Sequence, residues 1–370
     1  MQIRSLKLIN FRNYLSLNIT FSDNLNIIYG NNGMGKTNLV EAIYVLALTK
    51  SFRTNNDKIL ISKEKDLFKI EGIINDFSEN KFQVILNKEG KKAKINQTFL
   101  SKLSDYISKF SVIVFSPDDL HIIKTSPNER RKTLNRELSQ LNNCYLKDLN
   151  KYNKILKQRN SYLKTMYINH NTSGEFLDIL TNELITYGEK INKARNNYFF
   201  NINEKINANY FKIAKEKAIE IKYISDFNNF DREKLKKKYK SQQNKDTILG
   251  QTSIGIHHDD YIFQLKGEAL KDYGSEGQQK NAIIAYKLAE LELFYKEKGS
   301  YPVLILDDLF SELDKTKIKN ILRMIKTKIQ TFITTTDTKI ISREIIMQSK
   351  LLKVNKGSVK EVKNISREII

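Results

Sequence analysis

One cysteine, Cys144, stands among 370 residues, so an internal disulfide is excluded. With no Cys or His at metal-ligand spacing around it, Cys144 reads as a small buried or half-buried residue, not as a metal ligand. No apolar run approaches the roughly eighteen residues that a membrane span requires. The opening Met1-Gln2-Ile3-Arg4 leads into strand-like alternation instead of a signal sequence, so a cytoplasmic chain with no membrane partner is expected. Glycine and proline nearly vanish between about residues 129 and 240, which leaves that stretch with little to interrupt a helix.

What is abundant is basic charge. Lys and Arg number 63 against 42 Asp and Glu, a formal net charge of +21. Such an excess favours a polyanion, because lysines that neutralise phosphates release condensed counterions, and nucleic acid is the leading candidate. The competing explanation is compositional: the chain is rich in Lys, Asn and Ile, as AT-rich coding imposes on whole proteomes. With 40% hydrophobic and 28% charged residues the composition is that of a globular protein with one large core or two smaller ones.

Along the chain, "IRSLKLINF", "YLSLNITF" and "LNIIYG" alternate as three short strands, the last apolar enough to be buried. A glycine-rich turn follows, then "TNLVEAIYVLALT" with Leu39, Val40, Ile43, Leu46 and Ala47 at helical spacing. More strands are expected near 67–75, 81–87 and 92–95 and at "SVIVFSP". Leu134, Leu138, Leu141, Leu146 and Leu149 then mark a polar, Lys-rich helical insert. Its charge run "KLKKKYKSQQNK" is either a solvated helix end or a nucleic-acid contact. Strand text returns at "HHDDYIFQLKG", a long helix starts at Glu276, and "YPVLILDD" is a buried strand. The expected division is a discontinuous α/β lobe of residues 1–117 and 245–360, a helical insert of 118–244, and a tail of 361–370. The hexapeptide "ISREII" occurs at 341–346 and 365–370, and one repetition carries no array logic.

Three constellations carry chemistry. Gly30-Asn31-Asn32-Gly33-Met34-Gly35-Lys36-Thr37 fits G-x-x-x-x-G-K-[ST] between a buried strand and a helix, the setting of a P-loop. Glycines let successive N–H groups face an anion, Lys36 reaches the β- and γ-phosphates of ATP, and the Thr37 hydroxyl suits Mg²⁺. In "PVLILDDLFSELD" a buried strand ends on Asp307 and Asp308, where open α/β sheets place ligands. Asp307 is the expected Mg²⁺ ligand; Asp308, with Lys36, is the catalytic candidate, either polarising the attacking water or completing a supporting network. In "YGSEGQQKN", Ser275, Gly277 and Gln278 make a donor-rich helix start, which alone would be ordinary capping.

In this order the three resemble the RecF family of recombination-mediator ATPases, whose head is related to the ABC-type ATPases of SMC proteins. The resemblance spans nearly the whole chain: "LINFRNY", "IYGNNGMGKTNLVEAIY", "FSPDDL", "SPNERRKTL", "LKQRNSYLK", "GIHHDD", "SEGQQKNAIIAYKLAE", "LILDDLFSELD" and "TFITTTD". It implies an α/β fold: an ABC-type ATPase head with a mixed sheet and a mainly helical inserted lobe, without a long coiled coil. It implies that Ser275 to Gln279 form the signature, Ser311 to Asp314 the D-loop, and Thr334 to Thr336 the switch position. It further implies an ATP-dependent homodimer, a slow DNA-stimulated ATPase, binding to single-stranded or gapped DNA, work with RecO and RecR in loading recombinase, and a part in SOS induction. The chain departs from the family pattern at Ile256-His257-His258, where a Pro-His-Arg run is usual, and at Phe52, where a His is common before the matched Arg53. "VIVFSPDDL" offers no Gln for a Q-loop.

Overall fold

The structure is a computed structural model that describes residues 1–169, 173–325 and 328–362. Its strands in chain order are β1 (Gln2–Phe11), β2 (Tyr14–Thr20), β3 (Leu25–Tyr29), β4 (Phe68–Asn75), β5 (Glu79–Asn87), β6 (Gly90–Ile95), β7 (Thr98–Phe99), β8 (Val112–Phe115), β9 (Ile219–Ile224), β10 (Asp260–Leu265), β11 (Glu268–Ala269), β12 (Val303–Asp307), β13 (Thr331–Thr335), β14 (Lys350–Asn355) and β15 (Ser358–Glu361). Contacts divide the chain into two compact units, one of Met1–His121 with Ile283–Ile370, the other of Ile122–Ala282.

The first unit holds two six-stranded sheets. One is an antiparallel meander in the order β2-β1-β4-β5-β6-β7. The other runs β15-β14-β3-β13-β12-β8, parallel throughout except for the β14–β15 hairpin. A parallel strand is covered on both faces, which is why β12 reads as an unbroken apolar run: all five of its residues are buried. The helix Lys36–Leu48 supplies Leu39, Val40, Ile43, Leu46 and Ala47, none with any exposure, to the core.

The second unit is mainly helical, with the helices Pro127–Leu141, Asn143–Ile168 and Gly174–Ala214. Each begins on a capping side chain, Ser126, Asn142 and Ser173 in turn. Cys144 is exposed, contrary to the expectation of a buried or half-buried residue: it sits in the first turn after the Asn142 cap, on the solvent side of the helix start. The unit also has a three-stranded sheet, β11-β10-β9. Because β9 pairs with β10 along its whole length, the "DYIFQL" segment belongs with the helices, and the boundary falls at Ala282–Ile283 where the sequence placed it near residue 245. The second "ISREII" copy lies outside the described residues.

Two charge pairs lie within this unit. Arg195 donates to Asp259 at 2.6 Å, and Arg130 forks onto both oxygens of Asp260 at 2.7 and 2.6 Å. His257 accepts from the Tyr152 hydroxyl at Nδ1 and donates from Nε2 to the carbonyl of Thr252. Burial pushes its pKa down from 6.5 to about 4. The unfolded chain therefore binds a proton that the fold excludes, so His257 withdraws stability as pH falls from about 6.5 toward about 4. Urea midpoints measured between pH 7 and pH 4 should decline less steeply for His257→Gln than for the wild type.

Candidate nucleotide site

The backbone between β3 and the helix Lys36–Leu48 closes into a concave loop by using φ values that only glycine adopts freely: +152° at Gly30 and +113° at Gly35. Space matters as much. A Cβ on Gly30 would stand 2.4 Å from the carbonyl oxygen of Val354, and one on Gly35 would stand 2.4 Å from Asn13 Nδ2. Asn31, Asn32 and Gly33 are exposed at the crest of the loop, and Met34 is half-buried. The Lys36 side chain folds back into the loop, its Nζ donating to the carbonyls of Gly30 at 2.8 Å and Asn31 at 3.1 Å. Burial pulls the Lys36 pKa down, opposed by Asp308 and Asp307.

Sheet order then brings the acids to the loop. β3, β13 and β12 are adjacent and parallel, so their carboxyl ends open side by side, with Asp307 in register with Thr334. Asp307 Oδ1 accepts from Thr37 Oγ1 at 3.0 Å and from Thr334 Oγ1 at 2.7 Å. Burial raises the Asp307 pKa, opposed by those two hydroxyls. Asp307 has no ion-pair partner among the described residues. A buried carboxylate beside a hydroxyl, with no ion pair to it among the described residues, is a hard-oxygen donor set of the kind Mg²⁺ takes. Asp308 is half-buried and adopts φ +51°, in the left-handed region, which turns the chain sharply out of the strand. Its N–H donates to Thr334 Oγ1 at 2.8 Å and its carbonyl accepts from Ser311 Oγ at 2.7 Å. Thr334 thus accepts from one acidic residue and donates to the other. Asp314 caps the next helix, Lys315–Met324.

Several residues of this site were quoted from the sequence without a role. In "FRNY", Asn13 Nδ2 donates to the carbonyl of Met34 at 3.0 Å and the Tyr14 hydroxyl to that of Gly35 at 2.9 Å, so β1 and β2 fix the loop from outside. Asn38 Nδ2 donates to Asn13 Oδ1, and Arg53 Nη1 to Asn38 Oδ1, both at 2.9 Å. Arg12 forks onto the fully buried Glu41 at 2.9 and 2.7 Å. Asn and Arg beside a turn are too common to single out; only their distance from the loop in space reveals them.

Ser275, Gly277 and Gln278 are placed in the other unit, at the start of the helix Glu276–Lys298. Ser275 Oγ accepts from the N–H of Gln278 at 3.2 Å, and Gln278 Oε1 accepts from the N–H of Ser275 at 3.0 Å, a reciprocal cap. Gln279 is buried and donates to the carbonyls of Leu270 and Gly274 at 2.7 and 3.1 Å, locking the turn. Ser275 and Gly277 are exposed, and a Cβ on Gly277 would meet only Ser275 Oγ, at 3.9 Å.

The sequence model of the family described as RecF/RecN/SMC N terminal domain matches residues 2–360. Named relatives include "DNA replication and repair protein RecF" of Oceanobacillus iheyensis, 39% identical over 368 residues, 97% of this chain and 100% of the relative. The protein of the same name from Listeria monocytogenes serotype 4b is 38% identical over 369 residues, 98% of this chain and 100% of the relative. A solved structure of the recombination mediator protein RecF with ATPrS, in the RecFOR pathway, matches with a TM-score of 0.89 at 32% identity, covering 97% of this chain and 98% of that one. An Smc head bound to the C-terminal winged-helix domain of ScpA matches with a TM-score of 0.53 at 18% identity over 98% of both chains, a likeness of fold alone. No helix among the described residues is long and apolar enough to cross a membrane.

Proposed function

Because the chain belongs to the RecF family, we propose that it is an ATP-gated DNA-binding protein of replication and recombinational repair. The observation that carries this reading is the meeting of Lys36, Thr37, Asp307 and Thr334 at three adjacent strand ends. ATP lies on Gly30–Thr37, with the N–H groups of the loop and the start of the helix Lys36–Leu48 facing its phosphates. Lys36 exchanges the carbonyls of Gly30 and Asn31 for β- and γ-phosphate oxygens. Thr37 and Asp307 are the residues that would hold Mg²⁺, which would supply charge neutralisation to the phosphates. Asp308 orients the attacking water, its position set by the left-handed turn and by Thr334. Hydrolysis is slow and serves as a timer.

The second half of the site comes from another copy of the chain. Its exposed Ser275 and Gly277 approach the γ-phosphate, while Gln278 and Gln279 keep the turn in shape. ATP thereby bridges two copies into a symmetric dimer, and loss of the γ-phosphate releases it. The dimer grips single-stranded or gapped DNA through phosphate contacts, consistent with the charge of +21. RecO and RecR are the proposed partners, loading of recombinase and support of SOS induction the proposed outcomes, and the cytoplasm the proposed location.

Asp308→Asn keeps the shape but removes the charge that polarises water. Steady-state turnover with DNA present should fall by about 10²-fold or more, with ATP affinity little changed. Equal turnover by variant and wild type would leave Asp308 without a catalytic role.

A further inference from the structure

The motif "LKQRNSYLK" is not used by the nucleotide site, yet it places a guanidinium in an unusual position. Arg159, on the helix Asn143–Ile168, is 1% exposed. Its Nε donates to Thr181 Oγ1 at 3.1 Å, and its Nη1 to Asp246 Oδ2 at 3.0 Å and Thr252 Oγ1 at 2.7 Å. Tyr239 lies under the guanidinium at 5.3 Å. Asp246 is held in turn by Ser253, whose N–H and hydroxyl donate to its other oxygen at 3.0 and 2.6 Å. The arrangement fixes the plane of the guanidinium and leaves Nη2 without an acceptor among the described residues.

Arg159 also lines a cleft of about 270 Å³ within the helical unit. The helix Arg232–Ser241 contributes Lys237 and Lys240 to the lining, three residues apart and so on one face. Both are exposed, and neither has an acidic partner among the described residues. Lys236, also in the lining, is paired with Glu233 at 2.9 Å. Asn182 and Gln243 add neutral polar groups, and Asp178 is the one carboxylate among the lining residues. Arg159 Nη2 is not among the buried side-chain atoms left unsatisfied in the described residues, so this N–H edge keeps contact with solvent and is open to an incoming acceptor. A planar fork pre-set by four partners, with two unpaired ammonium groups beside it, matches a tetrahedral phosphate oxygen set. The volume suits one nucleotide of a strand, not a duplex face.

We propose that this cleft is a phosphate site for a nucleic-acid strand, with Arg159 as the fixed contact and Lys237 and Lys240 as the mobile ones. The source of the phosphate rests on the DNA-binding function proposed above. The charge run "KLKKKYKSQQNK" is then a contact and not only a solvated helix end. Each phosphate contact on a single strand contributes about 0.7 to the slope of log affinity against log salt.

The test uses the full chain with Mg²⁺ and ATP, a fluorescent single-stranded oligonucleotide, and a salt titration. Lys237→Gln/Lys240→Gln should bind roughly tenfold more weakly at low salt, with a slope shallower by about one unit or more. Its ATP turnover without DNA should equal that of the wild type. Asp178→Asn should bind more tightly, and Lys63→Gln/Lys65→Gln, in the other unit, should be unchanged. If the wild type binds with a steep salt slope and the Lys237/Lys240 variant matches it, DNA binding stands and the cleft assignment is overturned. If the wild type binds no oligonucleotide even at low salt, DNA binding and the strand assignment fall together. Pyrophosphate binding by a Lys36→Ala chain, lost on adding the Lys237 and Lys240 changes, would in that case make the cleft a site for free polyphosphate, against the strand.

Discussion

Lys36→Ala is expected to lower ATP affinity by roughly a hundredfold, about 3 kcal/mol, the scale of removing one cation hydrogen-bonded to charged oxygens. The geometry explains why the loss is large. Nζ is buried inside the loop and already donates to Gly30 and Asn31, so the ammonium is in place before any nucleotide arrives. Truncation removes that charge and leaves two inward carbonyls facing the phosphates, which adds repulsion to the lost attraction. Lys36 is also within reach of the fields of Asp307 and Asp308, so its removal takes away a cation that offsets them. Equilibrium binding of a fluorescent ATP analogue with Mg²⁺ reads the effect. An unchanged dissociation constant would remove Lys36 from the site.

Ser275→Arg is expected to abolish ATP-driven dimerisation while leaving ATP binding by the monomer intact. Ser275 is exposed at a helix start whose turn is fixed by the reciprocal cap with Gln278 and by Gln279. Losing the cap costs about 1 kcal/mol, too little to unfold the chain. The long side chain instead fills the open space beside Gly277, where the proposed dimer would seat a second copy's γ-phosphate. The dimer dissociation constant should rise by about a hundredfold or more, which is about 3 kcal/mol of lost closure. Monomer ATP affinity is the control, because it depends on the loop of the variant chain itself.

The sequence was most informative where one local run contains both the pattern and its chemistry. Gly30 to Thr37 carries its glycines, its lysine and its flanking strand and helix in one stretch, and Asp307 and Asp308 end a run too apolar to be anything but a buried strand. Illegible were contacts made by sheet order. Thr37 and Asp307 are 270 residues apart, and Thr334 joins them only because β13 lies between β3 and β12. Neither the left-handed turn at Asp308 nor the tie from Asn13 to Met34 has a local signal. β9 was hidden by its polar surroundings, although Ile219 and Ile221 alternate with Glu220 and Lys222 as a half-buried strand should. The exposure of Cys144 depends on where Asn142 starts a helix, a boundary that leucine spacing across residues 134–149 runs straight through.

The central claim is that ATP held on one chain is closed over by a second. Light scattering of the wild type, Ser275→Arg and Lys36→Ala, each with and without Mg²⁺ and a slowly hydrolysed ATP analogue, tests it most directly. The expected result is a doubling of mass for the wild type with nucleotide, and a monomer for both variants, of which only Ser275→Arg retains bound nucleotide. A Ser275→Arg chain that doubles its mass with nucleotide, or a wild type that stays monomeric when saturated, would contradict it.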